Sequence, residues 1–266
     1  MLRDTPVLAA LTGDPKSRSS SQTLLKKTLL NGSSLTLVGA NSPGGFRRIT
    51  ARIVLFDEVD GYPVNGAGSE GDQIALGAKR SETFWNRKIA AGSTPTIAGL
   101  SRIESLYELG DQRRYYVPCP HCGEKQPLEW GGPDTPHGIK WDKDPDGNHL
   151  PETAHYVCRH NGCIIDEADK PGMIDAGDWV AHAPFKGIAS FHIWAGYSLF
   201  PNASWSKLVA EWLDVKKDPL KRQTFINLTL GEAYEDRGDG ALNEISLAAR
   251  VEVWPGEVPD GVAIIT

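Results

Sequence analysis

Residues 53–60 read Ile53-Val-Leu-Phe-Asp-Glu-Val-Asp60, a four-residue apolar run closed by two adjacent carboxylates. An apolar run without alternation is the pattern of a parallel strand whose two faces are both covered by helices. Asp57 and Glu58 then fall at its C-terminal end, where open α/β sheets bind ligands. In a nucleotide-hydrolysing site the first acid would hold Mg²⁺ and the second would orient the attacking water. The alternative is a buried strand followed by an acidic turn.

The flanking sequence supports an α/β class. Ser34–Ala40, Arg52–Phe56 and Lys88–Ser93 read as strands, and the stretch from Gly71 to Lys88, with Ile74, Leu76, Phe84 and Trp85, reads as a helix. Another helix starts at Ser101, where Ser-Arg-Ile-Glu forms a capping box: hydroxyl and carboxylate each satisfy a free backbone N–H. Strands alternating with helices predict a mainly parallel sheet. Gly92-Ser-Thr-Pro-Thr96 ends one strand in small hydroxyl residues that can sit beside the acidic strand and sense a γ-phosphate. Without that neighbour it is an ordinary turn.

Residues 113–190 differ. All four cysteines lie here, as Cys119-Pro-His-Cys122-Gly and Cys158-Arg-His-Asn-Gly-Cys163, preceded by Tyr115-Tyr-Val117 and His155-Tyr-Val157 as short strands. Paired thiols on Gly-containing turns can converge on one tetrahedral Zn²⁺, as in a zinc ribbon, and a closed Cys₄ shell makes such a metal structural. His121, His155 and His160 are near enough to replace a cysteine ligand. Two disulfides, or free thiols, are the alternatives. Trp130 and Trp141 are expected to pack around the knuckles. Residues 191–230 resume ordered structure with a helix over Ser204–Lys217, capped by Ser204, and 231–266 read as a linker ending in a new apolar run. Trp205, Trp212 and Trp254 read as core or interface anchors.

Net charge is −6, unevenly spread: residues 1–52 carry eight basic residues against Asp4 and Asp14, a balance of +6, which leaves −12 on 53–266. A basic segment meeting an anion, ATP or DNA phosphate, fits this asymmetry. No apolar run approaches the ~20 residues of a membrane span, and no signal-peptide pattern opens the chain. A cytosolic protein is expected.

In combination, Leu35–Arg48, Leu55-Phe-Asp-Glu-Val-Asp-Gly-Tyr-Pro63, Gly92–Thr96, Val117–Gly123 and Phe225-Ile-Asn-Leu-Thr-Leu-Gly-Glu232 resemble, in order and over essentially the whole chain, the large terminase subunit of lambda-type tailed phages (the GpA family). The resemblance implies an ASCE-type, P-loop NTPase-like sheet (residues 1–112, resuming over 191–230), a zinc-ribbon-like insertion (113–190) and a linker (231–266) toward a nuclease. It implies ATP-driven packaging of viral double-stranded DNA in the host cytoplasm, with a small terminase subunit, a portal ring and further copies of the chain as partners. By position, Asp57 resembles the Walker B aspartate holding Mg²⁺ and Glu58 the catalytic carboxylate. Ser93, Thr94 and Pro95 resemble the coupling motif. Arg47, Arg48 and Arg52 fall on a basic segment where phosphate contact is expected. Zinc would sit on Cys119, Cys122, Cys158 and Cys163.

Two departures accompany the match. No Gly-x-x-x-x-Gly-Lys-Ser/Thr occurs, and Gly13-Asp-Pro-Lys16-Ser17 has the wrong spacing, so no backbone cradle for β- and γ-phosphates is legible. Gly261–Thr266 resembles a first nuclease strand without the aspartate that follows it. A piece of a motor is expected, inactive alone and exposing an apolar sheet face or edge. The competing reading is a zinc-ribbon protein that binds nucleic acid or acts as a scaffold, against which the −12 balance of residues 53–266 argues. A helicase would need arginine-bearing motifs that are not found.

Overall fold

Residues 4–12, 23, 25–63, 71–132 and 135–235 are described by a computed structural model. The linker expected over 231–266, from residue 236 on, lies outside them, as do Trp254 and the Gly13–Ser17 stretch.

Two short helices, α1 (Pro6–Ala9) and α2 (Pro43–Arg47), flank an antiparallel ribbon of β1 (Lys26–Thr28) and β2 (Ser34–Thr36). The strand expected over Ser34–Ala40 is therefore shorter, and its partner is antiparallel. The parallel pair comes next: β3 (Ile53–Asp57) and β4 (Lys88–Gly92), with Ile53 opposite Lys88 and Asp57 opposite Gly92. Parallel neighbours need a crossover, and α3 (Gln73–Lys79) supplies it, its first turn capped by Asp72 accepting from the Ala75 N–H at 2.8 Å. This helix stops well short of Lys88. The Ser81 hydroxyl donates to the Ala78 carbonyl at 2.7 Å and turns follow, so Trp85, expected on the helix's apolar face, is 95% exposed.

Among the described residues, β3 is covered on one face only. Phe56 is buried, with its ring against Gly77 of α3, while Leu55 is 70% exposed and Ile53 and Ile89 are exposed too. An apolar run without alternation thus sits on a sheet with one bare face, contrary to the expectation of two covered faces.

Beyond α4 (Arg102–Leu109) the chain becomes largely β. β5 (Arg113–Pro118) pairs antiparallel with β6 (Lys125–Pro127) and β10 (Asp178–Val180), and parallel with β11 (Phe191–His192). β7 (Gly138–Lys143), β8 (His149–Val157) and β9 (Ile164–Ile165) form an antiparallel meander, with α5 (Lys170–Asp175) between β9 and β10. The fold is therefore mixed α/β, with parallel and antiparallel sheets, where a mainly parallel sheet was expected.

α6 (Trp205–Val215), capped by the Ser204 hydroxyl, lies across the meander and is followed by α7 (Pro219–Thr224) and a π-helix (Phe225–Leu230). Val117, Ile139 and Tyr156 of the strands share one core with Trp205 and Val209 of α6 and Phe225. The polar tips of two aromatics in this core are satisfied. The Tyr197 hydroxyl donates to the Tyr115 carbonyl (2.6 Å) and accepts from the Leu128 N–H (2.7 Å), and the Trp194 indole donates to the Leu128 carbonyl (2.8 Å). Buried hydrogen-bonded networks of this kind fix one packing arrangement.

Gly131 and Gly138, at φ +78° and +92°, bridge the entry to β7. A Cβ on Gly138 would lie 2.7 Å from Gly131 Cα and 2.8 Å from its nitrogen. Backbone is what it would strike, and left-handed backbone disfavours a side chain. Gly138→Ala is expected to destabilise the protein by about 2 kcal/mol or more, read as a lowered denaturation midpoint.

Candidate functional site

Glu58 follows β3 directly in left-handed backbone (φ 52°, ψ 52°), an uncommon conformation for a residue with a side chain. Val59, fully buried, anchors the 3-10 turn Val59–Gly61 that follows. This turn sends the Glu58 carboxylate toward the next strand, where the Ser93 hydroxyl lies 3.3 Å from Oε2. Ser93 has a single proton, and the Thr94 carbonyl at 2.9 Å competes for it. Ser93 Oγ also accepts from the Asp60 N–H at 3.3 Å. The register of β3 on β4 makes this possible, because Asp57 opposite Gly92 puts residues 58 and 93 just past the ends of paired strands.

Asp57 is exposed at the same strand end, and its carboxylate takes no hydrogen bond among the described residues. A hard, free carboxylate of this kind suits a hard cation such as Mg²⁺, which is commonly held by one or two carboxylates. Tyr62 stands beside Asp57, its phenol pushed up mainly by burial. Of the residues expected to form the coupling motif, Ser93 and Thr94 are half-buried and Pro95 is buried.

Sequence reasoning missed Asp60. Its carboxylate accepts from the Thr96 hydroxyl and from the Ile103 N–H, both at 2.8 Å. Asp60 thereby ties the acidic turn both to the loop after β4 and to the first turn of α4. The signal was present as a third carboxylate in Asp-Glu-Val-Asp. The capping box at Ser101 forms with a shifted partner: Ser101 Oγ accepts from the Glu104 N–H at 3.2 Å, and Glu104 Oε2 accepts from Gly99 N–H at 2.9 Å. Asp60→Ala is expected to cost about 1–2 kcal/mol, the scale of a lost helix cap, measured by chemical denaturation. The same loop pairs onward: Tyr234 N–H donates to the Thr96 carbonyl (2.8 Å), and Ala98 N–H to the Tyr234 carbonyl (3.1 Å).

Of the basic segment, Arg52 is not gathered here. Arg52 immediately precedes β3 and so stands at the far end of the strand from Asp57, roughly 17 Å away at about 3.3 Å per residue. Arg47 closes α2 and Arg48 follows it.

The cysteines do converge. Each knuckle closes a hairpin, β5–β6 and β8–β9, by the same pair of backbone bonds. Gly123 N–H donates to the Cys119 carbonyl and Cys119 N–H to Glu124; Gly162 N–H donates to the Cys158 carbonyl and Cys158 N–H to Cys163. Gly123 and Gly162 are left-handed at φ +76° and +64°. None of the four is in a disulfide. The sulfurs of Cys119, Cys122 and Cys163 lie within 4.8 Å of one another, and Cys122 Sγ is 3.8 Å from Cys158 Sγ. A tetrahedron with metal–sulfur bonds of about 2.3 Å has edges of about 3.8 Å. His155 Nδ1 is instead 3.0 Å from the Thr153 carbonyl, and His121 and His160 are exposed. Burial pushes the Cys119 thiol up to about 12, whereas a hydrogen bond from the Asn161 side chain brings Cys122 down to about 6. Crowded thiols resist ionising together, and a divalent cation removes that penalty.

Trp130 packs within the aromatic core, 5.2 Å from Phe225 and 6.1 Å from Trp212 between ring centres. Trp205 is fully buried and Trp212 half-buried.

Comparison with known proteins identifies the family of the chain. The profile of the phage terminase large subunit gpA ATPase domain matches residues 1–179, and that of the terminase large subunit gpA endonuclease domain matches 188–266. The chain is 32% identical, over its whole length, to the large terminase subunit of Enterobacteria phage P21 and to that of Escherichia phage lambda. It spans 43% of the length of each. No solved structure matches the chain. No helix among the described residues is long and apolar enough to cross a membrane.

Proposed function

The chain belongs to the gpA family of phage terminase large subunits, and on that premise we propose that Asp57 and Glu58 form the acidic half of an ATP-hydrolysing site that drives packaging of viral double-stranded DNA. The family match supports reading the described β3–β4 unit as part of a P-loop NTPase-like sheet. The observation that carries the site assignment is the left-handed Glu58, aimed at the Ser93 hydroxyl across a parallel strand pair.

In this reading Asp57 would hold Mg²⁺, which neutralises phosphate charge during transfer. Glu58 accepts a proton from the attacking water and orients it. The Ser93 hydroxyl proton, shared between Glu58 and the Thr94 carbonyl, reports on the Glu58 charge. An ionised carboxylate draws it and a protonated one releases it to Thr94. Movement of Ser93, Thr94 and Pro95 then passes through Thr96 to the segment at Tyr234. Ser93→Ala is expected to retain most ATP hydrolysis and to lose most DNA translocation in an assembled motor. Equal loss of both would overturn the coupling role.

Phosphate binding needs a backbone cradle, and the sequence has no Gly-x-x-x-x-Gly-Lys-Ser/Thr. The chain alone is therefore expected to turn over ATP below about 1 s⁻¹, at the floor of ordinary enzymes. Mixing it with a polypeptide bearing that loop from a related terminase should restore hydrolysis. Failure of the mixture under conditions where the two associate would count against the assignment. The cysteine hairpins are proposed to hold one structural zinc through Cys119, Cys122, Cys158 and Cys163. Proposed partners are DNA, the small terminase subunit, the portal ring and other copies of the chain, in the host cytoplasm.

A further inference from the structure

A cavity of about 850 Å³ opens between the β7–β8 hairpin, α6 and the π-helix, separate from the acidic strand end and from the cysteines. Its size is that of a site for a small organic ligand. Trp130, Trp141 and Trp212 give it an aromatic wall, and Arg114, Lys143 and Lys216 stand in its lining.

One contact in it is mismatched. The Trp141 indole N–H, a donor only, lies 2.8 Å from His149 Nδ1, so Nδ1 accepts and the neutral ring carries its proton on Nε2. That Nε2–H faces the Lys216 ammonium at 3.3 Å. Two donors are aimed at one spot, and Lys143, opposite His149 in the β7–β8 pairing, adds a second positive group beside Lys216. An anionic oxygen accepting from both Nε2 and Nζ would resolve the clash. Lys140 is not available for this, since its ammonium is bound to the Gly132 and Thr135 carbonyls. Arg114 and Glu232 also line the cavity; they attract each other electrostatically but make no hydrogen bond through their side chains among the described residues, which leaves a donor fork and an acceptor pair for a ligand.

We propose that this cavity binds one guanine nucleotide unit. The phosphate sits at Lys216, His149 and Lys143, the base lies against the tryptophan wall, and Arg114 and Glu232 read its edge. Base–aromatic stacking is worth about 1–3 kcal/mol and does not discriminate among bases. Guanine presents O6 and N7 acceptors for an arginine fork together with N–H donors on its pairing edge for a carboxylate. Thymine lacks an exocyclic amino group and matches less of this pattern. The same chemistry is offered by a free nucleotide and by an unpaired guanine at the end of a DNA strand.

The test is titration of the full chain with dGMP, followed by tryptophan fluorescence. Saturable binding is expected, with Lys216→Gln weakening it about tenfold, the scale of one charge-assisted hydrogen bond. Lys143→Gln should weaken it less, and Glu232→Gln should erase a preference for dGMP over thymidine monophosphate. Deoxyguanosine should bind poorly, and inorganic phosphate should compete weakly. Tighter binding of a 5′-phosphorylated oligonucleotide with an unpaired terminal guanine than of dGMP assigns the site to a strand end; the reverse order assigns it to free nucleotide. No saturable dGMP binding to millimolar concentration overturns the proposal. So does dGMP binding no tighter than inorganic phosphate, or unchanged in both lysine variants with near-ultraviolet circular dichroism preserved.

Discussion

Replacing Cys119 with Ser, or stripping metal with a strong chelator, is expected to unfold the region from β5 to β9 and to take the helices packed on it along. As isolated, the protein should carry one zinc per chain by elemental analysis. The magnitude follows from the scale of the terms. Structural zinc contributes on the order of 10–16 kcal/mol in small zinc-binding peptides, while whole domains are stable by about 5–15 kcal/mol. Loss of the metal therefore removes an amount comparable with the entire margin. Cys119 and Cys158 are almost fully buried, so without a cation either ionised thiolate stands unpaired in protein or the thiols stay neutral and the two hairpins lose the cross-link that the metal would supply. Val117, Ile139, Tyr156 and Ile165 form the strand side of the core onto which Trp205 and Val209 pack, so damage should spread to α6. The readout is loss of near-ultraviolet circular dichroism together with cysteine accessibility. A zinc-free protein with an unchanged denaturation midpoint would refute the metal assignment.

The elements legible in the sequence are those written in short-range chemistry. β3 ending at Asp57, β4, and the hydroxyl caps at Ser101 and Ser204 are each specified by residues within a few positions of one another, and the structure has them. The convergence of the two cysteine pairs was legible because Gly123 and Gly162 mark tight turns. What failed depends on distant parts of the chain. The nine-residue β8 contains Pro151, Glu152 and His155 and carries no clean alternation, so its place in a meander is set by pairing with β7 and β9. The helix after Gly71 ends at Lys79 because Ser81 and the turns behind it compete for the backbone, which apolar spacing alone does not reveal. Covering of only one face of β3 is likewise a property of tertiary packing. The acidic couple was readable, but Asp60 was not singled out, since its role lies in bonds to Thr96 and Ile103 some forty residues along the chain. The cavity at Trp130 was invisible for the same reason: its lining comes from Arg114 through Glu232.

Glu58→Gln is expected to reduce ATP hydrolysis by the reconstituted motor by about 10²–10⁴-fold, the range for removing a general base, with ATP binding retained. The substitution isolates the chemistry. Glutamine keeps the size of the side chain and an oxygen that can accept from Ser93, so the turn at Val59 and the bonds of Asp60 should persist; what disappears is an acceptor able to take a proton from water. Asp57→Asn should behave differently, because a neutral amide binds a hard cation weakly: raising Mg²⁺ should recover part of the Asp57→Asn activity and none of the Glu58→Gln activity. That contrast separates the two acids by role, which a simple loss in both variants would not. If Glu58→Gln hydrolyses ATP within about threefold of the parent, the carboxylate beside Ser93 is not the base, and its left-handed backbone serves only to close the strand.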